Sequence, residues 1–381
     1  MRVLFLQSNV DDAHQMKVIK LMAGAGCVVT RCGFVRDSYY RATRGRAGVR
    51  VLGTLRNRSF VSRLPLLLRS IPEVRRLSSR CDALFCFGAD MQVLGMAAAY
   101  GKGLRIFREI ADLPEVLIQA GCRGKLAREI ERFCLGRLDG LLVTSDKFLD
   151  KYIRPLVGES LSRCFVIENK LDPGMVGDRC PAPRFSEDCV ITIGYFGLLR
   201  CVRSMDVLVR IAESCPERFR VTIRGYNAIG YPLKHYCSKL RNFEYGGEYE
   251  SPHELAMIYR QCDIVWSCYP YVSNGVNARL AQTNRYYESV YFRRPQICQT
   301  GTVDGSKVER YGIGVNVDLS DLSRAAGEVV ALTSERLNRM VGRIEQLPLS
   351  ACCYEREFSD VVRHMEGLAL ASGVQSARCC P

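Results

Sequence analysis

Twice along this chain a strand, a helix and another strand follow one another, and that rhythm admits few folds. Near the amino terminus, Val3 to Gln7 reads as a strand. A helix with apolar positions at Met16, Ile19 and Leu21 comes next, Gly24 and Gly26 end it, and Cys27 to Thr30 is the following strand. The same order restarts far downstream, with Val190 to Gly197 as strand, Met205 to Ser214 as helix and Phe219 to Arg224 as strand. A strand joined to its successor through a helix lies parallel to it, so each half is expected to form a parallel sheet covered by helices. Further strands are expected at Ala83 to Gly88, Leu104 to Glu109, Gly140 to Ser145, Cys164 to Asn169 and Asp263 to Ser267, with helices at Met91 to Tyr100, Ala127 to Leu138 and Glu254 to Gln261.

Between the halves, Pro173, Gly174, Pro181 and Pro183 interrupt any periodicity. The expected organisation is a first domain over 1–172, a linker over 173–188 and a second domain over 189–350. Residues 351–370 supply a helix, Tyr354 to Leu368, that crosses back to the first domain, and 371–381 form a disordered tail. The class is α/β, two doubly wound domains, and ligands of such sheets bind outside the carboxyl ends of the strands.

Within the second half, Asn284-Arg285-Tyr286-Tyr287-Glu288-Ser289-Val290-Tyr291-Phe292-Arg293-Arg294-Pro295 reads as a short helix feeding a buried strand at Gln296 to Gln299. Asn284 is the expected N-cap, and Pro295 stops the helix. The helix start would offer backbone N–H groups and partial positive charge to a phosphate. Glu288, one turn in, could accept two ribose hydroxyls. An ordinary capped helix is the competing reading of the same residues.

Composition removes several functional classes. No run approaches the roughly 18 apolar residues needed to span a bilayer, and the first residues meet Asp11 and Asp12 too soon for a signal peptide. The nineteen cysteines lie scattered through apolar segments, without a CxxC pair and with only four histidines, so reduced thiols in a cytosol are expected, with neither a disulfide scaffold nor a metal site. The net charge of +14 is concentrated between Arg36 and Arg80, where twelve arginines face only Asp37 and Glu73. That segment suits the anionic inner surface of a membrane or an acidic substrate. No basic-aromatic pattern or binding motif accompanies it, so nucleic acid is not an expected partner.

Three segments of the second half carry a family resemblance. Ile193-Gly194-Tyr195-Phe196-Gly197-Leu198-Leu199-Arg200-Cys201-Val202-Arg203-Ser204, Cys262-Asp263-Ile264-Val265-Trp266 and the Asn284 segment are similar to the donor-binding landmarks of GT-B glycosyltransferases, most closely the retaining enzymes of family 4. Arg108-Glu109-Ile110-Ala111-Asp112-Leu113 is similar to a landmark of their first domain. The resemblance implies two Rossmann-like domains with a cleft between them. It also implies transfer of a sugar from a nucleotide-sugar donor to a glycan or lipid-linked glycan acceptor in surface polysaccharide synthesis, with retention of configuration. Gly197, Arg200, Arg203, Asn284 and Arg285 would hold the diphosphate and Glu288 the ribose. Arg200 and Arg203 would act catalytically on the donor side, and Glu109 and Asp112 on the acceptor side. Physics agrees with the donor side, because fixed cations beside a departing diphosphate stabilise the transition state preferentially. Those cations can take the place of a metal, and no Asp-x-Asp motif is present. No cofactor is expected.

The sequence also departs from the family. Leu280 stands eight residues before Glu288, where relatives often have a first glutamate, and Ala111 stands where they often have histidine. A non-catalytic scaffold of the same fold and a nucleotide-sugar epimerase are the alternatives these departures leave.

Overall fold

The computed structural model describes residues 1–36, 48–55, 63–158, 163–271 and 275–377. It divides into two compact units, one formed by residues 1–167 together with 356–381, the other by residues 168–355.

Unit 1 holds seven parallel strands in the order β3-β2-β1-β4-β5-β6-β7. They are β1 (Arg2–Gln7), β2 (Val28–Arg36), β3 (Val49–Leu55), β4 (Ala83–Phe87), β5 (Arg105–Ile110), β6 (Gly140–Val143) and β7 (Cys164–Val166). The connecting helices include α1 (Ala13–Gly24), α2 (Leu64–Ser78), α3 (Ala89–Ala99) and α4 (Cys122–Leu135). Every residue of β4, Ala-Leu-Phe-Cys-Phe, is buried, as expected of a strand covered by helices on both faces. On β5 the alternation of side chains separates two charged neighbours. Arg108 makes a bidentate pair with Glu131 of α4, at 2.9 and 2.7 Å, while Glu109 bonds a different element, His14 of α1.

Unit 2 holds six parallel strands in the order β10-β9-β8-β11-β12-β13. These are β8 (Ile191–Phe196), β9 (Phe219–Arg224), β10 (Phe243–Tyr245), β11 (Ile264–Trp266), β12 (Gln296–Gln299) and β13 (Gly314–Val317). The helices that shape its carboxyl edge are α5 (Val202–Ser214), α6 (Leu255–Arg260), α7 (Val276–Leu280), α8 (Asn284–Tyr291) and α9 (Val303–Tyr311). Ile193, Met205, Leu208, Ile211, Val221 and Trp266 share one core on the α5 side of the sheet. Val265, Tyr259, Tyr287, Phe292 and Val308 belong to a second core.

Several boundaries differ from the expectation. The segment expected as a linker packs into unit 2: Phe185 joins its core, and its backbone N–H donates to Asn338 at 3.0 Å. The basic segment contains a strand, β3, and a helix, α2; its residues 37–47 and 56–62 lie outside the described residues. Helix α10 (Glu357–Ala377) runs through residues 371–377, where a disordered tail was expected; residues 378–381 lie outside the described residues. All seventeen described cysteines are free, and twelve of them are buried.

Candidate functional site

The carboxyl edge of β8 turns on a glycine for a backbone reason. Gly197 has φ +106°, a conformation that L side chains rarely adopt. Gly225, at the end of β9, has φ +137°, and a Cβ there would lie 1.8 Å from the Gly197 carbonyl oxygen. These glycines let two strand ends approach, and the approach is fastened by Gly197 N–H to Arg224 O at 3.0 Å and Leu199 N–H to Tyr226 O at 2.9 Å. The chain then enters α5, whose N-cap is Cys201. Its sulfur accepts from Ser204 N–H and from Tyr271 N–H, each at 3.4 Å.

Two arginines flank this cap. Arg200 is exposed, and its guanidinium lies 5.2 Å from the Tyr269 ring centre. Arg203 is partly buried. Its Nη1 donates to the carbonyls of Leu319 at 2.7 Å and Ser320 at 3.2 Å, and its guanidinium lies 4.8 Å from the Tyr271 ring centre. Arg203 is therefore anchored through one nitrogen, with further donors on the same fork.

The α8 segment is built differently from its expectation. Its N-cap is Thr283, not Asn284: Thr283 has extended backbone, and its hydroxyl accepts from Tyr286 N–H at 3.2 Å. Asn284 is the first helical residue and is exposed. The Thr283 N–H donates to buried Asp304 at 3.0 Å. Burial raises the Asp304 carboxyl to about 6, against the lowering effect of its bonds to Thr283. A carboxylate thus already faces the helix start that the sequence offered to a phosphate. Arg285 folds back toward β11, donating to the carbonyls of Cys268 at 3.0 Å and Trp266 at 3.4 Å, with its guanidinium 4.9 Å from the Tyr195 ring centre.

Glu288 is 6% exposed. The Tyr259 hydroxyl donates to its Oε2 at 2.7 Å, and Tyr259 is raised well above its usual range by burial and then by the Glu288 charge. This bond fixes the carboxylate. Leu280, at the position of the missing first glutamate, is a buried apolar residue.

Sequence reasoning missed a polar cluster beside α8. Lys307 of α9 donates to Glu168 at 2.5 Å, to Gln282 Oε1 at 3.1 Å and to the Tyr287 hydroxyl at 3.1 Å. Gln282 also donates to Glu168 at 3.1 Å, and its carbonyl accepts from Asn169 at 3.0 Å. No local motif marks this cluster, because its members are distant in sequence. Asn227 closes its own turn with Tyr231 at 2.8 and 3.0 Å, which accounts for it structurally.

In unit 1, Glu109 is a buried residue one short of the end of β5, and its Oε1 lies 2.9 Å from His14 Nε2. Burial alone would lower the His14 pKa, but the charge and hydrogen bond of Glu109 raise it above 6.5. Asp112 is exposed in the loop after β5. His14 is the functional candidate that the expected set lacked; its signal is its place in the first turn of α1, just past the carboxyl end of β1. Among the described residues no group of three or more His, Cys, Asp or Glu side chains converges as a metal site.

No family profile matches the sequence. The succinoglycan biosynthesis protein ExoL of Rhizobium meliloti (strain 1021) is 26% identical over 386 residues, covering 97% of this chain and 94% of that protein. Sucrose-phosphate synthase of Thermosynechococcus elongatus superposes with a TM-score of 0.71 at 12% identity, covering 98% of this chain and all of that one. Anabaena HepE, solved in complex with UDP, gives 0.64 at 13% identity over 98% of this chain and all of that one. The fold is the GT-B fold, two Rossmann-like units.

Proposed function

We propose that this chain is a glycosyltransferase of polysaccharide synthesis. Unit 2 would bind a nucleoside-diphosphate sugar, and unit 1 would bind a glycan or lipid-linked glycan acceptor. The observation that carries the reading is the turn from β8 into α5, where a left-handed glycine, Arg200 and Arg203 gather at the start of a 13-residue helix. A backbone without Cβ, two guanidinium groups and a helix start are together suited to a diphosphate. The UDP bound to HepE and the part of ExoL in succinoglycan synthesis support the same reading.

Chemistry then assigns the roles. As the bond from the sugar to the diphosphate breaks, negative charge gathers on the leaving phosphate, and fixed cations there lower the barrier. Arg200 and Arg203 would supply this stabilisation without a metal. Asn284 and Arg285 would complete the donor side, and Glu288, oriented by Tyr259, would accept the ribose hydroxyls. Under retention of configuration, the leaving phosphate itself receives the acceptor proton.

A second reading of the stereochemistry rests on His14 and Glu109. An imidazole held at 2.9 Å by a buried carboxylate has the arrangement of an oriented general base. Used as such, His14 would take the acceptor proton, the acceptor oxygen would displace the diphosphate directly, and the product would be inverted. Incubating the purified chain with UDP-hexoses and lipid-linked or free glycan acceptors tests the proposal. Transfer dependent on acceptor supports it, and the anomeric coupling constant of the product distinguishes the two outcomes. Failure to bind any nucleoside diphosphate would leave only a scaffold, and conversion of donor without acceptor would indicate epimerisation.

A further inference from the structure

Helix α4 is amphipathic in the wrong sense for a helix that only covers a sheet. Its core side carries Gly124, Glu131, Cys134 and Leu135. Its solvent side shows Leu126, Ile130 and Phe133, exposed by 64, 51 and 52%. Their spacing, four and then three residues, forms one stripe. Glu131 is inside because Arg108 neutralises it there, so the inward charge has a structural explanation. In the outward stripe the Arg137 guanidinium lies 3.4 Å from the Phe133 ring centre, while Leu126 and Ile130 stay open to solvent.

The stripe has two surroundings. On one side, Ile130 and Phe133 join Val93 and Met96 of α3 around a shallow apolar hollow of about 450 Å³. On the other, Lys125, Arg128, Arg132 and Lys151 surround a neighbouring hollow of about 560 Å³. Glu129 lines both, and it is paired with Arg132. Lys125 and Lys151 have no ion-pair partner among the described residues. A wet apolar hollow beside a cationic one calls for an occupant with an anionic head and an apolar body. Among the described residues, no helix is long and apolar enough to cross a membrane, so contact here would be at the membrane surface.

We propose that α4, with Val93 of α3, is a docking face for an anionic phospholipid bilayer, Leu126, Ile130 and Phe133 entering the headgroup boundary while Lys125 and Lys151 meet lipid phosphates. Interfacial helices combine these two contributions, apolar burial and attraction to anionic lipid. Charge also decides against the obvious alternative occupant. A second copy of this chain would bring the same basic rim against itself, with like charges opposed, whereas an anionic bilayer complements it. The face lies on a different helix from the arginine-rich segment that first suggested membrane contact, and it requires nothing of the sugar chemistry.

The test is flotation of the full chain with phosphatidylcholine vesicles, with and without phosphatidylglycerol, at low and high salt. Association only with the phosphatidylglycerol vesicles, weakened by salt, is expected. Lys125→Ala should reduce the partition roughly fivefold, the effect of one basic residue near such a surface. The double variant Ile130→Ser and Phe133→Ser should abolish flotation while its circular dichroism matches wild type, since neither side chain supports the core. Wild-type protein that stays unbound overturns the proposal, as does a double variant that floats like wild type. A concentration-dependent dimer that the double variant dissolves, without vesicle binding, would assign the face to a second copy. A chain that transfers no sugar yet floats as described refutes the proposed activity and leaves this face in place.

Discussion

Replacing Arg200 by alanine separates catalysis from folding more cleanly than any other change at the candidate site. Arg200 is exposed, and its resolved contact is the Tyr269 ring at 5.2 Å. An exposed cation over an aromatic ring contributes about 0.5–1 kcal/mol, which for a unit of this size is roughly 1–4 °C of melting temperature. Its proposed role is larger. Loss of one charged donor aimed at a developing oxyanion costs about 10²–10³-fold in turnover. Arg203→Ala is the control, because Arg203 also holds the Leu319 and Ser320 carbonyls. Charge-assisted bonds of that kind contribute about 1.5–3 kcal/mol, so this variant should lose stability as well as rate. The assay is steady-state transfer from a UDP-sugar beside a thermal melt of each variant. An Arg200→Ala enzyme with wild-type turnover would refute the reasoning, and so would one whose turnover falls only in proportion to a lost fold.

Other perturbations follow from the same contacts. Arg108→Met leaves Glu131 buried without its partner and should destabilise unit 1 by about 3–5 kcal/mol, read by denaturant titration; a change near zero would mean that water reaches the site. Glu288→Gln keeps the Tyr259 bond but removes the charge, and it should weaken UDP binding in calorimetry with little loss of melting temperature, whereas an unchanged affinity would remove Glu288 from the ribose role. His14 is surrounded by Glu109 from β5, by Asp12 at the cap of its own helix and by Lys17 within it. Because its folded pKa is raised above 6.5, the stabilisation is complete below that value and is lost as pH rises through the folded pKa. The melting temperature of wild type should therefore exceed that of His14→Asn most at acidic pH, and a difference that grows with pH would contradict the ion pair.

Much of this fold was legible because a buried parallel strand is a continuous apolar run. Ala83 to Phe87 and Ile191 to Phe196 stand out without any partner in view, and Gln296 to Gln299 is bracketed by Pro295 and Gly301. β3 was missed because Val49–Leu55 carries Arg50 and a left-handed Gly53 within an arginine-rich stretch, and its edge position leaves much of it wet. β10 and β13 are three and four residues long, and Glu244 and Asn316 break the apolar run in each. At the candidate site, Gly197 was legible since its role is a property of its own backbone. The cap of α8 was not, because choosing Thr283 over Asn284 depends on Asp304, which reaches it from a later helix. His14 was not legible as a site residue for the same reason: only the fold brings Glu109 to it across 95 residues of chain.

Hydrogen exchange of the whole chain with and without UDP tests the donor assignment most directly. Protection concentrated at residues 197–204 and 284–288 is the predicted result. Protection confined to unit 1, or an exchange map that saturating UDP does not alter, would contradict it.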